Sequence, residues 1–230
     1  GIVVQPKYMA VWNYSAEGQS QVIPVIPITE YQKHAITKPL AALQTMFEAL
    51  QSPSGGMEGA PTSVSVDSTV PKDVDVHELV QTPNDADHWG ETNYSSTATF
   101  DKGTDLVPPV GLAAASVKDA GDKAKEQRLV VIGSSTLGSD RLVTRTSLAQ
   151  VGNDVVPYYV YPGNAELVDN SVLWLAGYEN MIAVSAKSGV AMRIGKVAPA
   201  MMTFWSWMIY LMIPLLALIA GAGVWAVRRR

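Results

Sequence analysis

The longest uncharged run of the chain lies near its C-terminus. Residues 201–227 contain no aspartate, glutamate, lysine or arginine, and Arg228, Arg229 and Arg230 follow at once. A helix needs about 20 apolar residues to cross a hydrocarbon layer ~30 Å thick, so this run predicts one C-terminal transmembrane helix. Amphipathic aromatic side chains, which favour membrane interfaces, stand near both ends of the run: Trp205, Trp207, Tyr210 and Trp225.

The charges beside this run predict its orientation. Cytoplasmic flanks of membrane helices are rich in lysine and arginine, so we expect the arginines in the cytoplasm and the long N-terminal part outside. In a bacterium this describes a single-pass inner-membrane protein with a periplasmic domain. The predicted parts are an extracytoplasmic domain at 1–187, a juxtamembrane linker at 188–200, a membrane helix at 201–227 and a cytoplasmic tail at 228–230. Pro214 removes one backbone donor and predicts a mild kink.

Short apolar runs between turn residues predict strands in the rest of the chain. The clearest is 128–133, a continuous run of strand-forming residues closed by glycine, which is typical of a strand buried on both faces. Residues 110–117 are a second buried candidate. Two prolines limit 21–27 to an edge strand or extended coil. The other strand candidates are 1–4, 8–12, 64–66, 77–82 and 181–186, and 83–102 is expected to be a surface excursion.

Two segments have helical spacing. Residues 40–50 place their apolar side chains on one face, and 164–178 repeat apolar residues at intervals of three and four, with Gly177 where a helix C-cap is expected. The order strand, helix, strand over 128–133, 164–178 and 181–186 indicates an α/β fold with a layered, mostly parallel sheet.

The amino-acid composition argues against several classes of function. A net charge of −4 leaves no basic surplus to replace phosphate counterions, which argues against nucleic-acid binding. The absence of cysteine excludes disulfides, thiolate metal sites and cysteine nucleophiles. The sequence begins at Gly1 without a leader, so we expect that an upstream part has been removed or lies on another piece of the protein.

The residues after the 128–133 strand are the candidates for a binding site. Polar residues at the carboxyl end of a strand often bind ligands in α/β folds, so Ser134, Ser135 and Thr136 are assigned to ligand or partner binding, with an ordinary turn as the alternative. The segment is not a G-x-S-x-G motif, because its second glycine comes one residue late, and it lacks the GK[ST] ending of a phosphate loop. A serine hydrolase using Ser134 or Ser135 is a further hypothesis.

The three histidines, His34, His77 and His88, match no metal-ligand spacing, and we expect surface polar roles for them. No set of residues forms a recognisable catalytic constellation. We therefore predict no enzymatic activity, no metal and no cofactor.

Several segments occur in an order typical of one protein family. The most specific are Trp174-Leu175-Ala176-Gly177 and the arginine-ended apolar run. The others are Gly1-Ile2-Val3-Val4, His34-Ala35-Ile36-Thr37-Lys38-Pro39-Leu40, Trp89-Gly90-Glu91, residues 128–135, residues 163–170 and Lys187. Together they cover most of the chain and resemble the extracytoplasmic domain of gliding-motility-type auxiliary components of ABC transporters. Ala35 departs from the family's proline, and Ser134 and Thr136 depart from its acidic residues.

The resemblance implies a sheet of the flavodoxin or class I glutamine-amidotransferase type, and it implies that an N-terminal half of the domain is missing. It also implies an ABC permease and ATPase as partners. The expected function is that of a non-catalytic, membrane-anchored accessory subunit of an ABC-type transport complex, whose outer domain binds a partner protein or a ligand. A structural docking subunit of another large membrane complex is the alternative.

Overall fold

The structure is a computed structural model, and it describes residues 1–16, 19–67, 69–119, 121, 126–151, 154–185, 203 and 205–229. The chain divides into two compact units: unit 1 is Gly1–Gly189 and unit 2 is Val190–Arg230. The predicted linker at 188–200, Lys187 and Arg230 lie outside the described residues.

Unit 1 is built mainly from strands, most of which match runs rich in β-branched and aromatic residues. The strands are β1 (Ile2–Ala16), β2 (Gln19–Ile23), β3 (Val25–Ile28), β4 (Thr45–Glu48), β5 (Leu50–Gln51), β6 (Met57–Glu58), β7 (Thr62–Val66), β8 (Val74–Gln81), β9 (His88–Glu91), β10 (Gly111–Lys118), β11 (Gln127–Ile132), β12 (Thr146–Val151) and β13 (Asp154–Tyr159). The helices of this unit are a 3-10 helix at Lys38–Ala42 and the α-helices α1 (Asp140–Val143), α2 (Pro162–Leu175) and α3 (Glu179–Ser185).

All pairings between these strands are antiparallel in the described part of unit 1. One sheet has the order β2-β1-β7, with β9 also paired to β1, and a second has the order β11-β10-β8. The pairs β3–β4, β5–β6 and β12–β13 form two-stranded sheets. The predicted α/β fold with a layered, mostly parallel sheet of the flavodoxin or class I glutamine-amidotransferase type is therefore wrong.

The error arises after α2. This helix and its C-terminal glycine are confirmed, and Gly177 has φ +77°, the left-handed conformation that ends many helices. Residues 181–186 were expected to form a strand, but α3 occupies Glu179–Ser185. A short apolar run fits either element, and without a strand after α2 there is no crossover unit of the kind that parallel sheets require.

The apolar strand at 128–133 is present as β11, but it is not buried on both faces. It lies at the edge of its sheet, where Leu129 is 51% exposed. The central strand is β10, whose first five residues are all buried. Small residues at these positions let neighbouring segments approach closely.

The helix predicted at 40–50 is also wrong. Only the 3-10 helix Lys38–Ala42 forms, and β4 follows it and pairs with β3. The 83–102 segment contains β9, all of whose residues are buried, rather than being a surface excursion throughout. In both places tertiary pairing overrides a weak local preference.

The side chain of Asn164 docks the start of α2 onto β4. Its Oδ1 accepts from the Met46 amide at 2.7 Å, and its Nδ2 donates to the carbonyl oxygens of Met46 at 2.9 Å and Leu137 at 3.1 Å. Gly163 precedes it, and a Cβ there would lie 2.6 Å from the Gln44 carbonyl oxygen. The Asn164 side-chain amide therefore forms the hydrogen bonds with β4 that a neighbouring strand would form.

The main core lies where the second sheet, the β3–β4 pair and α2 meet. Its largest buried side chains are apolar and include Ile26, Ile28, Phe47, Leu79, Leu112 and Leu167. This core fixes the position of the strand ends that form the candidate site.

The β12–β13 hairpin stands apart from the core. Its register places Leu148 opposite Pro157 and Gln150 opposite Val155, so Leu148 and Val155 share one face. Leu148 is 68% exposed and Val155 is 63% exposed.

Unit 2 contains a π-helical turn at Met208–Met212, followed by an α-helix at Ile213–Arg228, which is called the C-terminal helix below. The π turn ends two residues before Pro214, whose ring disturbs the hydrogen bonding of the preceding turn. Among the described residues no helix is both long and apolar enough to cross a membrane. The transmembrane helix predicted at 201–227 is thus corrected, because the 16-residue α-helix is about 24 Å long, shorter than a hydrocarbon layer.

Candidate functional site

The residues predicted to bind a ligand after β11 form a tight turn. The Ser134 hydroxyl donates to the Gly59 carbonyl oxygen at 3.1 Å, and the Thr136 hydroxyl donates to the Glu48 carbonyl oxygen at 3.0 Å. Thr136 is buried and Ser135 is exposed. Two of the three hydroxyls therefore tie the turn to neighbouring segments. In the described residues, the histidine side chains form their hydrogen bonds with groups other than these hydroxyls.

A different group of polar side chains meets at the far end of the second sheet. In the register of this sheet, Val117 of β10 lies opposite both Asp75 of β8 and Arg128 of β11. Residues directly opposite each other in a sheet project to the same face, so Asp75 and Arg128 flank Val117 on one face. His77, two residues after Asp75, projects to the same face.

Arg128 ties this end of the sheet to the helices. Its guanidinium donates to the carbonyl oxygen of Trp174 at 2.6 Å and forms ion pairs with Glu126 at 2.9 Å and Glu179 at 2.8 Å. It also lies over the Trp174 ring, 4.9 Å from the ring centroid. Burial lowers the pKa of Arg128, but the bonds to Glu126 and Glu179 outweigh it and raise the pKa, so the cation is permanent.

Two histidine rings lie beside Trp174, and the rings of His77, His34 and Trp174 are called the aromatic wall below. The His34 ring lies 5.6 Å from the His77 ring and 5.2 Å from the Trp174 ring, in an edge-to-face arrangement with the latter. The Nε2 atom of His77 is 2.9 Å from a carboxylate oxygen of Asp75. The Nδ1 atom of His34 accepts from the Ile36 amide at 3.2 Å, so the neutral ring carries its proton on Nε2. Burial, and then the neighbouring His77, lower the pKa of His34.

These side chains border an open cleft of about 700 Å³, called the His34 cleft below. It is lined by residues of β8, β10, β11, α2 and α3 and of the loops beside them, among them His34, Asp75, His77, Arg128, Trp174 and Glu179. The described residues contain no group of three or more metal-ligating side chains arranged to hold an ion. The lining of the cleft offers charged and aromatic side chains for binding.

The sequence reasoning missed this cleft because its residues are far apart in the chain. His34 and His77 were assigned surface polar roles, but His34 is half-buried against Trp174. One signal was available: His34, Arg128 and Trp174 belong to three separate segments that carry the family resemblance, and the structure brings all three together. The third histidine, His88, is buried elsewhere, stacked on Trp12 and bonded to Asp85.

Unit 2 presents apolar side chains over its described length. Tyr210 is 80% exposed and Leu218 is 71% exposed, and the predicted interface residues Trp205, Trp207 and Trp225 are exposed as well. Arg228 ends the C-terminal helix, and the Arg229 guanidinium lies 4.8 Å from the Trp225 ring centroid. The aromatic and basic residues are thus adjacent at this end of the helix.

Comparison of the chain with protein-family models, with curated proteins and with solved structures found no match.

Proposed function

We propose that this chain is a non-catalytic accessory subunit of an ABC-type transport complex, attached to a membrane through unit 2, with unit 1 as its binding domain. The observation that carries the proposal is the exposed apolar surface of unit 2. From Trp205 to Trp225 the described side chains include no charge, and many large apolar ones are exposed. Patches of this kind mark membrane or protein contacts.

Lipid is the surface that best fits these side chains. Transfer of apolar area out of water is favourable by about 25 cal/mol for each Å², so exposed Leu218, Ile219 and Trp225 favour insertion. Arg228 and Arg229 stand at the end of the apolar stretch, where anionic headgroups attract cations.

Flotation with liposomes tests the attachment. The full chain, transferred from mild detergent to vesicles of phosphatidylethanolamine and phosphatidylglycerol, is expected to float with the lipid. The double variant Leu218→Asp/Val224→Asp should stay in the dense fractions, because two charges on the apolar surface oppose insertion. The control, Val107→Asp/Leu148→Asp, changes two equally exposed apolar residues of unit 1 and should float. Flotation of all three chains alike would contradict the proposal.

The transport assignment rests on the resemblance of the quoted segments, and co-purification tests it. Isolation in mild detergent is expected to yield an ABC ATPase and permease together with this chain. Recovery of a different large complex without these subunits would favour the structural docking role. Labelling by a serine-directed fluorophosphonate is expected to fail on the folded chain, and labelling lost in Ser134→Ala or Ser135→Ala would favour a hydrolase.

The side of the membrane on which unit 1 lies stays a prediction. That prediction places Arg228, Arg229 and Arg230 in the cytoplasm and unit 1 in the periplasm of a bacterium, and it requires the chain to cross the membrane between them, which no helix among the described residues is long and apolar enough to do. Protease added to spheroplasts is expected to digest unit 1. Protection of unit 1 until the membrane is lysed would place it in the cytoplasm.

A further inference from the structure

We propose that the His34 cleft binds a lysine or arginine side chain of a partner protein. This proposal rests on the proposed function only in that it gives the accessory subunit a protein partner.

The cleft carries an excess of negative charge. Among the described residues, five carboxylates and two cations line it: Asp73, Asp75, Asp119, Glu126, Glu179, Lys72 and Arg128. Lys118 lies nearby, with its ammonium 3.8 Å from Asp73. A cation is attracted into such a cleft, and an anion such as a phosphate is repelled.

The positive charge of Arg128 is not available to a ligand. Its nitrogens are engaged by Glu126, Glu179 and the Trp174 carbonyl oxygen, and its side chain is only 15% exposed. By contrast, the side chain of Asp75 is 74% exposed and is bonded to His77, which carries no charge when it is unprotonated. Asp119 accepts a hydrogen bond from the Gly121 amide and forms no ion pair with another described residue. Asp75 and Asp119 are therefore the carboxylates available to an incoming cation.

The aromatic wall adds a second feature that suits an organic cation. His77, His34 and Trp174 stand in a continuous row of rings, with centroids 5.6 and 5.2 Å apart. Trp174 is only 3% exposed and the Arg128 guanidinium covers its ring, so an incoming planar guanidinium can stack only on the imidazole rings, of which that of His77 belongs to a side chain 46% exposed. The cleft already holds one guanidinium in this way, since that of Arg128 lies over Trp174 between two carboxylates.

The size of the cleft favours a protein segment. A volume of about 700 Å³ is within the range of ligand pockets, and the cleft is open to solvent. A side chain entering it can therefore remain joined to its backbone. The partner we infer presents lysine or arginine on an extended or exposed segment.

Binding of basic peptides to the full chain in neutral detergent tests the proposal. The probes are fluorescein-labelled peptide amides of the form Gly-Ser-Arg-Ser-Arg-Gly and Gly-Ser-Lys-Ser-Lys-Gly, with Gly-Ser-Glu-Ser-Glu-Gly as the negative control. Fluorescence anisotropy at near-neutral pH is expected to report binding of the two basic peptides alone, weakening as salt rises because exposed charges are screened.

Matched variants locate the site. Asp75→Asn/Asp119→Asn removes two charges but keeps acceptors for His77 and Gly121, and it should weaken binding by about tenfold. Glu58→Gln/Asp169→Asn removes the same charge at exposed positions outside the cleft and should leave binding unchanged. Thermal unfolding of both variants checks that they fold.

Three results would overturn the proposal. They are equal weakening by the two variant pairs, no binding of either basic peptide, and binding of free spermidine as tightly as of the peptides, which would make the cleft a polyamine site. A chain that binds the peptides but does not float with liposomes would keep this inference and lose the proposed membrane attachment.

Discussion

At the scale of single residues, one buried amide joins three segments of unit 1. Asn164 bonds both backbone groups of Met46 and the carbonyl oxygen of Leu137, and all three residues are buried. Loss of the side chain leaves these groups without partners and without access to water. An unsatisfied buried polar group costs roughly 1–3 kcal/mol.

Asn164→Ala should therefore lower the free energy of unfolding by about 3 kcal/mol, measured by urea denaturation. Asn93→Ala is the control, because Asn93 is exposed and hydrogen-bonds in the described part of the chain through its backbone amide, not its side chain. A loss below about 1 kcal/mol for Asn164→Ala would mean that α2 does not depend on this contact.

The turn after β11 offers a second comparison between neighbouring residues. Thr136→Val removes a buried hydroxyl that donates to the Glu48 carbonyl oxygen, and it should cost about 1–2 kcal/mol of stability. Ser135→Ala changes an exposed hydroxyl and should alter stability by less than about 0.5 kcal/mol. Thermal melts of the two variants decide the matter, and equal effects would contradict a structural role for Thr136.

At the scale of elements, Arg128 holds α2 and α3 against β11. Its guanidinium bonds the Trp174 carbonyl oxygen near the end of α2 and Glu179 at the start of α3. A cation at a helix C-terminus is favourable because of the helix dipole. Removing it leaves Glu126 mostly buried and unpaired.

Arg128→Gln is expected to lower stability by about 2 kcal/mol, because an uncompensated carboxylate remains near the sheet. Arg141→Gln is the matched control, since Arg141 is exposed and makes only long contacts, at 3.4 and 3.5 Å, with the Gln51 carbonyl oxygen. Chemical denaturation followed by tryptophan fluorescence measures both, and an Arg128→Gln variant as stable as the control would refute the role.

The elements that the sequence predicts well are those whose local pattern agrees with their tertiary contacts. The spacing over 164–178 predicts α2 and its terminal glycine, and the apolar run 110–117 predicts β10. Other runs fail: 181–186 is equally compatible with a strand and with α3, and part of 40–50 becomes β4 because β3 and Asn164 supply its partners. Those partners come from distant parts of the chain, and so do the residues of the His34 cleft. Local patterns do not contain such contacts.

At the scale of the whole molecule, the His34 cleft couples folding to pH. Burial, and then His77, hold the pKa of His34 below its ordinary value of 6.5, while the carboxylates of Glu179 and Asp75 oppose this and Arg128 reinforces it. The folded state therefore binds this proton less readily than the unfolded state. The contribution of His34 to the free energy of unfolding is complete above its pKa in the unfolded state. It is lost as pH falls from 6.5 towards the pKa of His34 in the folded state.

Urea denaturation at about pH 7.5 and about pH 5.5 measures this dependence. The midpoint should fall with pH in the parent chain, and it should fall less in His34→Asn, which keeps an acceptor near the Ile36 amide but has no proton to bind. An identical fall in both chains would assign the effect to other groups.

The separation of the β12–β13 hairpin from the core has a consequence for how unit 1 opens. A two-stranded hairpin is only marginally stable in water by itself, and here both faces carry exposed side chains, Leu148 and Tyr158 among them. Its strands can come apart without disturbing β10, so the two regions belong to different cooperative units. In deuterated buffer the backbone amides of β12 and β13 should exchange within the earliest time points, and those of β10 should be the last to do so.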